Sequence, residues 1–195
     1  MLNISNYLNN EELLKVLDKY NAFDIKSHAK KVSNCALLLF DSLSPYYEFN
    51  NAEKNLLHYS SILHDIGYFI NKKNHHEHTK YIILKEPLLD IVPTVLRDSL
   101  AIIASSHGKH IDNSIYLYSY KEKITILKLI SLLRIADALD HKHYLGVSVE
   151  KVEIKNHTLN IQIKGEASNI ILKSIRKKSP LFSKIYNISI YIECS

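Results

Sequence analysis

Only four glycines and four prolines punctuate the 195 residues of this chain, and its apolar residues recur mostly at helical spacing. With breakers this rare there are few places for tight turns, so a mainly α architecture follows. Glu11 to Tyr20 reads as a short amphipathic helix. Asp24 is placed to cap a longer one running to about Leu43, which Ser44-Pro45 ends. Asn51 opens another, through Leu56, Leu57, Ser60 and Leu63 towards Gly67 as a C-terminal stop. Asn74 with Glu77 three residues on has the form of a capping box, for a helix ending near Pro87. Thr94 starts a helix to about Ser106, and Lys121 to Asp140 carries the longest apolar period.

The pattern changes near Gly146. Val147–Lys155 and Thr158–Lys164 alternate apolar and polar residues around a hairpin turn at Asn156-His157. Ser168–Lys178 suits a helix, Pro180 follows it, and Asn187–Glu193 alternates again. The expected organisation is a helical domain over residues 1–145 and a small ββαβ subdomain over 146–195.

Composition narrows the function classes. At 46% hydrophobic and 23% charged the chain is neither disordered nor fibrous. The net charge of +5 leans towards anionic ligands, yet it is too weak to signal nucleic acid. The tail from residue 146 holds 8 of the 25 basic and 4 of the 20 acidic side chains, a net of +4, so most of the positive field lies there. Cys35 and Cys194 are far apart with no CxxC spacing, which fits a reducing compartment and argues against a thiolate zinc site. The N-terminus lacks the layout of a signal peptide, and no apolar run approaches the roughly 18 residues of a membrane helix. The expected location is the cytoplasm.

Polar residues on the apolar stripes carry the chemistry. His28 lies four, seven and eleven residues before Val32, Cys35 and Leu39, on their buried face. His64 follows Ser60 by four and Leu57 by seven, and Asp137 follows Leu133 and Ile130 by the same steps. Taken singly, His28 reads as a satisfied core histidine and Asp137 as a capping or salt-bridging group. Together with Asp65 they make two imidazoles and two carboxylates converging on one interior, which is costly unless a cation is bound. Such a ligand set suits Mn²⁺, Fe²⁺, Co²⁺, Ni²⁺, Mg²⁺ or Zn²⁺.

His28 in SHAKKV, His64-Asp65 in ILHDIG and Asp137 in LLRIADALD resemble the defining pattern of HD-domain metal-dependent phosphohydrolases. With HAKKVSNCALLLFDSL, HHEHTKYII, IIASSHGKH and the ββαβ tail, the chain is most similar to the C-terminal HD domain of the exopolyphosphatase / guanosine-pentaphosphate phosphatase (Ppx/GppA) family. The resemblance implies that His28, His64, Asp65 and Asp137 are metal ligands. For a second ion it offers His78 and His107, with His75, His76 and His110 behind them. The bland reading of HHEH is a solvated helix start.

The resemblance also implies hydrolysis of a phosphate ester or anhydride of a phosphorylated small molecule or polyphosphate, with one divalent ion or two. Asp65 would ligate the metal and orient the attacking water, while Lys31 and Arg134 would clamp phosphate. Lys31 also reads as a surface side chain, and Arg134 as an internal ion partner of Asp137 or Asp140. The family's actin-like catalytic domains, the DGxGYP segment of cyclic-dinucleotide phosphodiesterases and the Glu-Asp signature of ppGpp hydrolases have no counterpart in this sequence. Tyr68 stands where the cyclic-dinucleotide enzymes often have Lys. A second class of function therefore stays open, a module that binds polyphosphate or a nucleotide without cleaving it. Lys173, Arg176, Lys177 and Lys178 form the densest basic run, ordinarily a solvated helix end. Pairing of two copies through exposed helices is a further implication of the family, of which the sequence itself gives no direct sign.

Overall fold

A computed structural model describes residues 2–140, 147–165 and 169–194. The helices are α1 (Asn10–Lys19), α2 (Ile25–Leu43), α3 (Asn51–Leu63), α4 (His75–Lys85), α5 (Thr94–Ser105), α6 (Tyr120–Leu139) and α7 (Asn169–Tyr186). The strands are β1 (Ser148–Lys155), β2 (Thr158–Lys164) and β3 (Ser189–Cys194). The order is the expected one, a helical bundle followed by ββαβ. The expected boundary at residues 145 and 146 lies outside the described residues.

The centre of the bundle is α6. From Leu129 onward every one of its side chains is buried, so this half of the helix is enclosed on all sides rather than on one face. Helices α2, α3 and α5 pack against it, and α7 crosses back over it from the C-terminal region. The apolar residues of β2 (Leu159, Ile161, Ile163) and α7 (Ile171, Phe182) join the same buried cluster as the bundle. Strand β2 pairs antiparallel with β1 and parallel with β3, in the order β1-β2-β3. Asn156 and His157 both take positive φ (50° and 56°), the requirement of the tight hairpin turn read from the sequence.

Three local departures from the sequence reading have physical causes. Capping boxes close the starts of α1, α3 and α6 through Asn9/Glu12, Asn50/Glu53 and Ser119/Glu122. Neither Asp24 nor Asn74 caps with its side chain: both sit in the left-handed region, and the Asn74 carbonyl takes the Glu77 amide instead. Helix α3 stops at Leu63, and Gly67 lies within a 3-10 turn, Ile66–Phe69. That glycine is required by close approach, because a Cβ there would stand 2.0 Å from the His75 carbonyl oxygen and 2.5 Å from the Thr79 nitrogen. Helix α7 runs on through Pro180, which is exposed, because Phe182 and Tyr186 continue its buried stripe.

Candidate metal centre

Four imidazoles are oriented by one device. His64, His75 and His107 each place Nδ1 on the carbonyl three residues back: Ser61 at 2.8 Å, Lys72 at 3.1 Å and Ala104 at 2.7 Å. His64 and His107 stand just past the ends of α3 and α5, where helix carbonyls lack partners. His28, in the first turns of α2, places Nδ1 2.7 Å from Asp140 Oδ2. Once Nδ1 donates outward, Nε2 is the atom turned inward, which is how second-sphere acceptors orient metal-binding histidines.

The inward atoms meet around Asp65. Its Oδ2 lies 3.6 Å from His28 Nε2 and 3.4 Å from His64 Nε2, while Oδ1 lies 3.4 Å from His75 Nε2 and 3.2 Å from His107 Nε2. The two histidines on each side are equally close, at 3.2 Å for His28–His64 and 3.1 Å for His75–His107. Asp137, projecting from α6, brings Oδ1 to 3.5 Å from His28 Nε2. Asp65 Oδ1 is buried without a hydrogen-bond partner, and so is His76 Nδ1. A buried carboxylate oxygen left this way is expensive unless a cation takes it. The ligand atoms of His28, His64 and Asp65 lie within 4.8 Å of one another, and so do those of His75, His76 and His107. The residues present therefore fit one or two divalent ions.

The electrostatics differ between these groups. Burial opposes a charge on His28, but its contacts with Asp137 and Asp140, together with nearby Asp65, raise it to about 9. Burial pushes His64 down to about 4 and His76 down to about 3, so both are neutral imidazoles. Burial would lift Asp65 and Asp137, yet their neighbours hold both carboxyls well below the usual range: interactions with His64 and His107 for Asp65, and with Lys178 and His28 for Asp137.

Not every residue expected at the site is there. His78 is half-buried on α4 but belongs to neither ligand group, and the His110 side chain is exposed. The stripe that buries Thr79, Ile82 and Ile83, extended back by one and two turns, lands on His75 and His76 and passes His78 by. That signal was present in the sequence. Arg134 is buried and donates from Nε to the Ser106 carbonyl (2.8 Å) and from Nη2 to the His110 carbonyl (3.0 Å). Its guanidinium thus braces the segment carrying His107, and it pairs with neither Asp137 nor Asp140 through any of these bonds. Lys31 is half-exposed, with Nζ 3.6 Å from Asp140 Oδ1, behind His28. Tyr68 stacks on the His75 ring at 4.3 Å and 14°. Gly108 leaves room for the His76 ring, which a Cβ would meet at 2.8 Å.

Above these ligands opens a cavity of about 890 Å³, with Asp65, His75, His76, His107 and Asp137 in its lining and lysines of α7 along one wall. No described helix is long and apolar enough to cross a membrane.

A helical bundle with His/His-Asp clusters at its centre defines an HD-like metal-binding module. Residues 14–177 match the family model for the Ppx/GppA phosphatase, domain III, and the chain belongs to that family. It is also 26% identical over 137 residues to the guanosine-5'-triphosphate,3'-diphosphate pyrophosphatase of Pseudoalteromonas atlantica. That match covers 68% of this chain and 27% of the relative, so the chain spans about a quarter of the curated protein it matches.

Proposed function

We propose that the protein is a metal-dependent phosphohydrolase acting on a phosphate ester or anhydride, of nucleotide or polyphosphate type. The observation that carries this reading is the division of Asp65 between two imidazole pairs, with Oδ1 buried and without a hydrogen bond. In this reading His28, His64, Asp137 and Asp65 would hold one ion, and His75, His76 and His107, again with Asp65, would hold a second. Bound divalent ions would supply activation of water and neutralisation of phosphoryl charge.

The remaining work falls to the chain. Asp140 fixes the ring of His28, and the three backbone carbonyls fix His64, His75 and His107. Arg134 acts as a positioning residue for His107 rather than as a phosphate clamp, and Lys31 supports Asp140. The cavity is of the size that takes a nucleotide-scale ligand, about 300–1,000 Å³. The free, half-buried thiol of Cys35 supports a reducing, cytoplasmic location. Association of two copies through exposed helices remains part of the proposal.

The test is metal content together with turnover. Purified protein should carry divalent ions, hydrolyse at least one member of a panel of generic phosphodiester, dNTPs, ppGpp and polyphosphate, and stop in excess EDTA. Activity that survives EDTA would overturn the reading. Metal and ligand binding with no hydrolysis under any divalent ion would identify the non-catalytic binding module instead.

A further inference from the structure

In the basic run of α7, Lys173, Arg176 and Lys177 are exposed, but Lys178 is not. Ile171, Ile175, Phe182 and Tyr186 are the buried stripe of this helix, and Lys178 lies three residues after Ile175 and four before Phe182. A lysine therefore occupies a position whose neighbours along the stripe are apolar. Its side chain is 18% exposed, and its Nζ is paired with Asp137 Oδ2, on a carboxylate whose other oxygen faces His28. Lys173 and Lys177, one turn apart, line the same cavity, and Lys72 and Lys109 also lie in its lining.

Two facts follow from this placement. An ion on the Oδ1 side of Asp137 would share that carboxylate with the ammonium on Oδ2, and two like charges so close weaken each other's hold. The ammonium also sits on a flexible four-carbon stem, with phosphate-sized space and other lysines within the same cavity.

We infer that Lys178 is a tethered cation that occupies Asp137 until an ion binds, and that the ammonium so released becomes a ligand for a substrate phosphate. Metal loading and phosphate affinity are then coupled through one side chain of the C-terminal region, and α7 completes the site built by the bundle. This rests on the metal-site reading proposed above.

The experiment titrates the ion-free protein with Mn²⁺ by calorimetry, then titrates Mn²⁺-loaded and ion-free protein with methylenediphosphonate. Lys178→Met keeps the aliphatic stem and removes the competing charge. It should bind Mn²⁺ about tenfold tighter than wild type and show a larger rise in Tm on adding the ion. The loaded variant should bind the diphosphonate about tenfold more weakly than the loaded wild type. Lys178→Arg should restore both properties towards wild type, and Lys178→Gln serves if the methionine variant fails to fold. Unchanged or weaker Mn²⁺ affinity in the folded neutral variant, or unchanged diphosphonate affinity, overturns the inference while leaving the metal site standing. Wild-type protein that binds no divalent ion at all overturns the metal-site reading, and this inference with it.

Discussion

The two sides of Asp65 are built from the same atoms and behave differently. On one side His28 and Asp137 project from α2 and α6 and His64 stands at the end of α3, with His28 and His64 only 2% and 0% exposed. Two carboxylates, Asp137 and Asp140, contact His28, and in the absence of an ion this side keeps positive charge: a proton on His28 and the ammonium of Lys178. On the other side His75, His76 and His107 come from a helix start and from the end of α5, and Asp65 Oδ1 lies against His75 and His107. Burial makes His75 and His76 poor bases, so these two present neutral nitrogen. One half attracts any cation; the other is a nitrogen-rich cup that fits metal ions of imidazole preference.

The largest effect should come from removing what the halves share. Asp65→Asn should lose both ions and lower turnover by more than about a thousandfold, as read by metal analysis and steady-state kinetics. If one ion remained at full occupancy, Asp65 would not bridge. Next, His64→Ala and His107→Ala should each take the ion content from two to one per chain. Loss of both ions in either variant would show that the halves are not separable.

A smaller effect separates the halves by pH. His28 has its ion-free value raised to about 9, so below that pH an incoming ion must displace a proton. Affinity on the His28 side should therefore rise with pH, by at most about tenfold per unit between 6 and 8. His76, pushed down to about 3 by burial, releases no proton there, and burial shifts His75 in the same direction. Titration in buffers of different ionisation enthalpy measures the protons released. No release from a His107→Ala protein, which retains the His28 side, would contradict this assignment.

The smallest effect concerns bracing. Arg134→Lys cannot reach both the Ser106 and His110 carbonyls with the geometry of a guanidinium. It should cost about 1–3 kcal/mol of stability and weaken the His107 side in preference to the His28 side. Equal weakening of both would place Arg134 outside the support of His107.

The same division describes what was legible in the sequence. The His28 side could be read because its residues sit on long apolar stripes, where three helices point polar groups at one interior. His75 and His76 belong to a first helical turn, so their direction depends on where α4 begins and how Gly67 docks it. Only the phase of Thr79, Ile82 and Ile83, followed backwards, separates them from His78. Arg134 has a buried position that the sequence marks, but its partners are carbonyls 24 and 28 residues away, which no side-chain pattern encodes. Lys178 was hidden for a related reason. Pro180 suggested that α7 ends at Lys178, and a lysine at a helix end reads as solvated; the helix instead continues to Tyr186 and turns that position inward.

Anomalous diffraction from crystals of the metal-loaded protein tests the central claim most directly. Two peaks are expected, one among His28, His64 and Asp137 and one among His75, His76 and His107, each within bonding distance of a different oxygen of Asp65. A loaded, active protein with no peak beside Asp65 would contradict it.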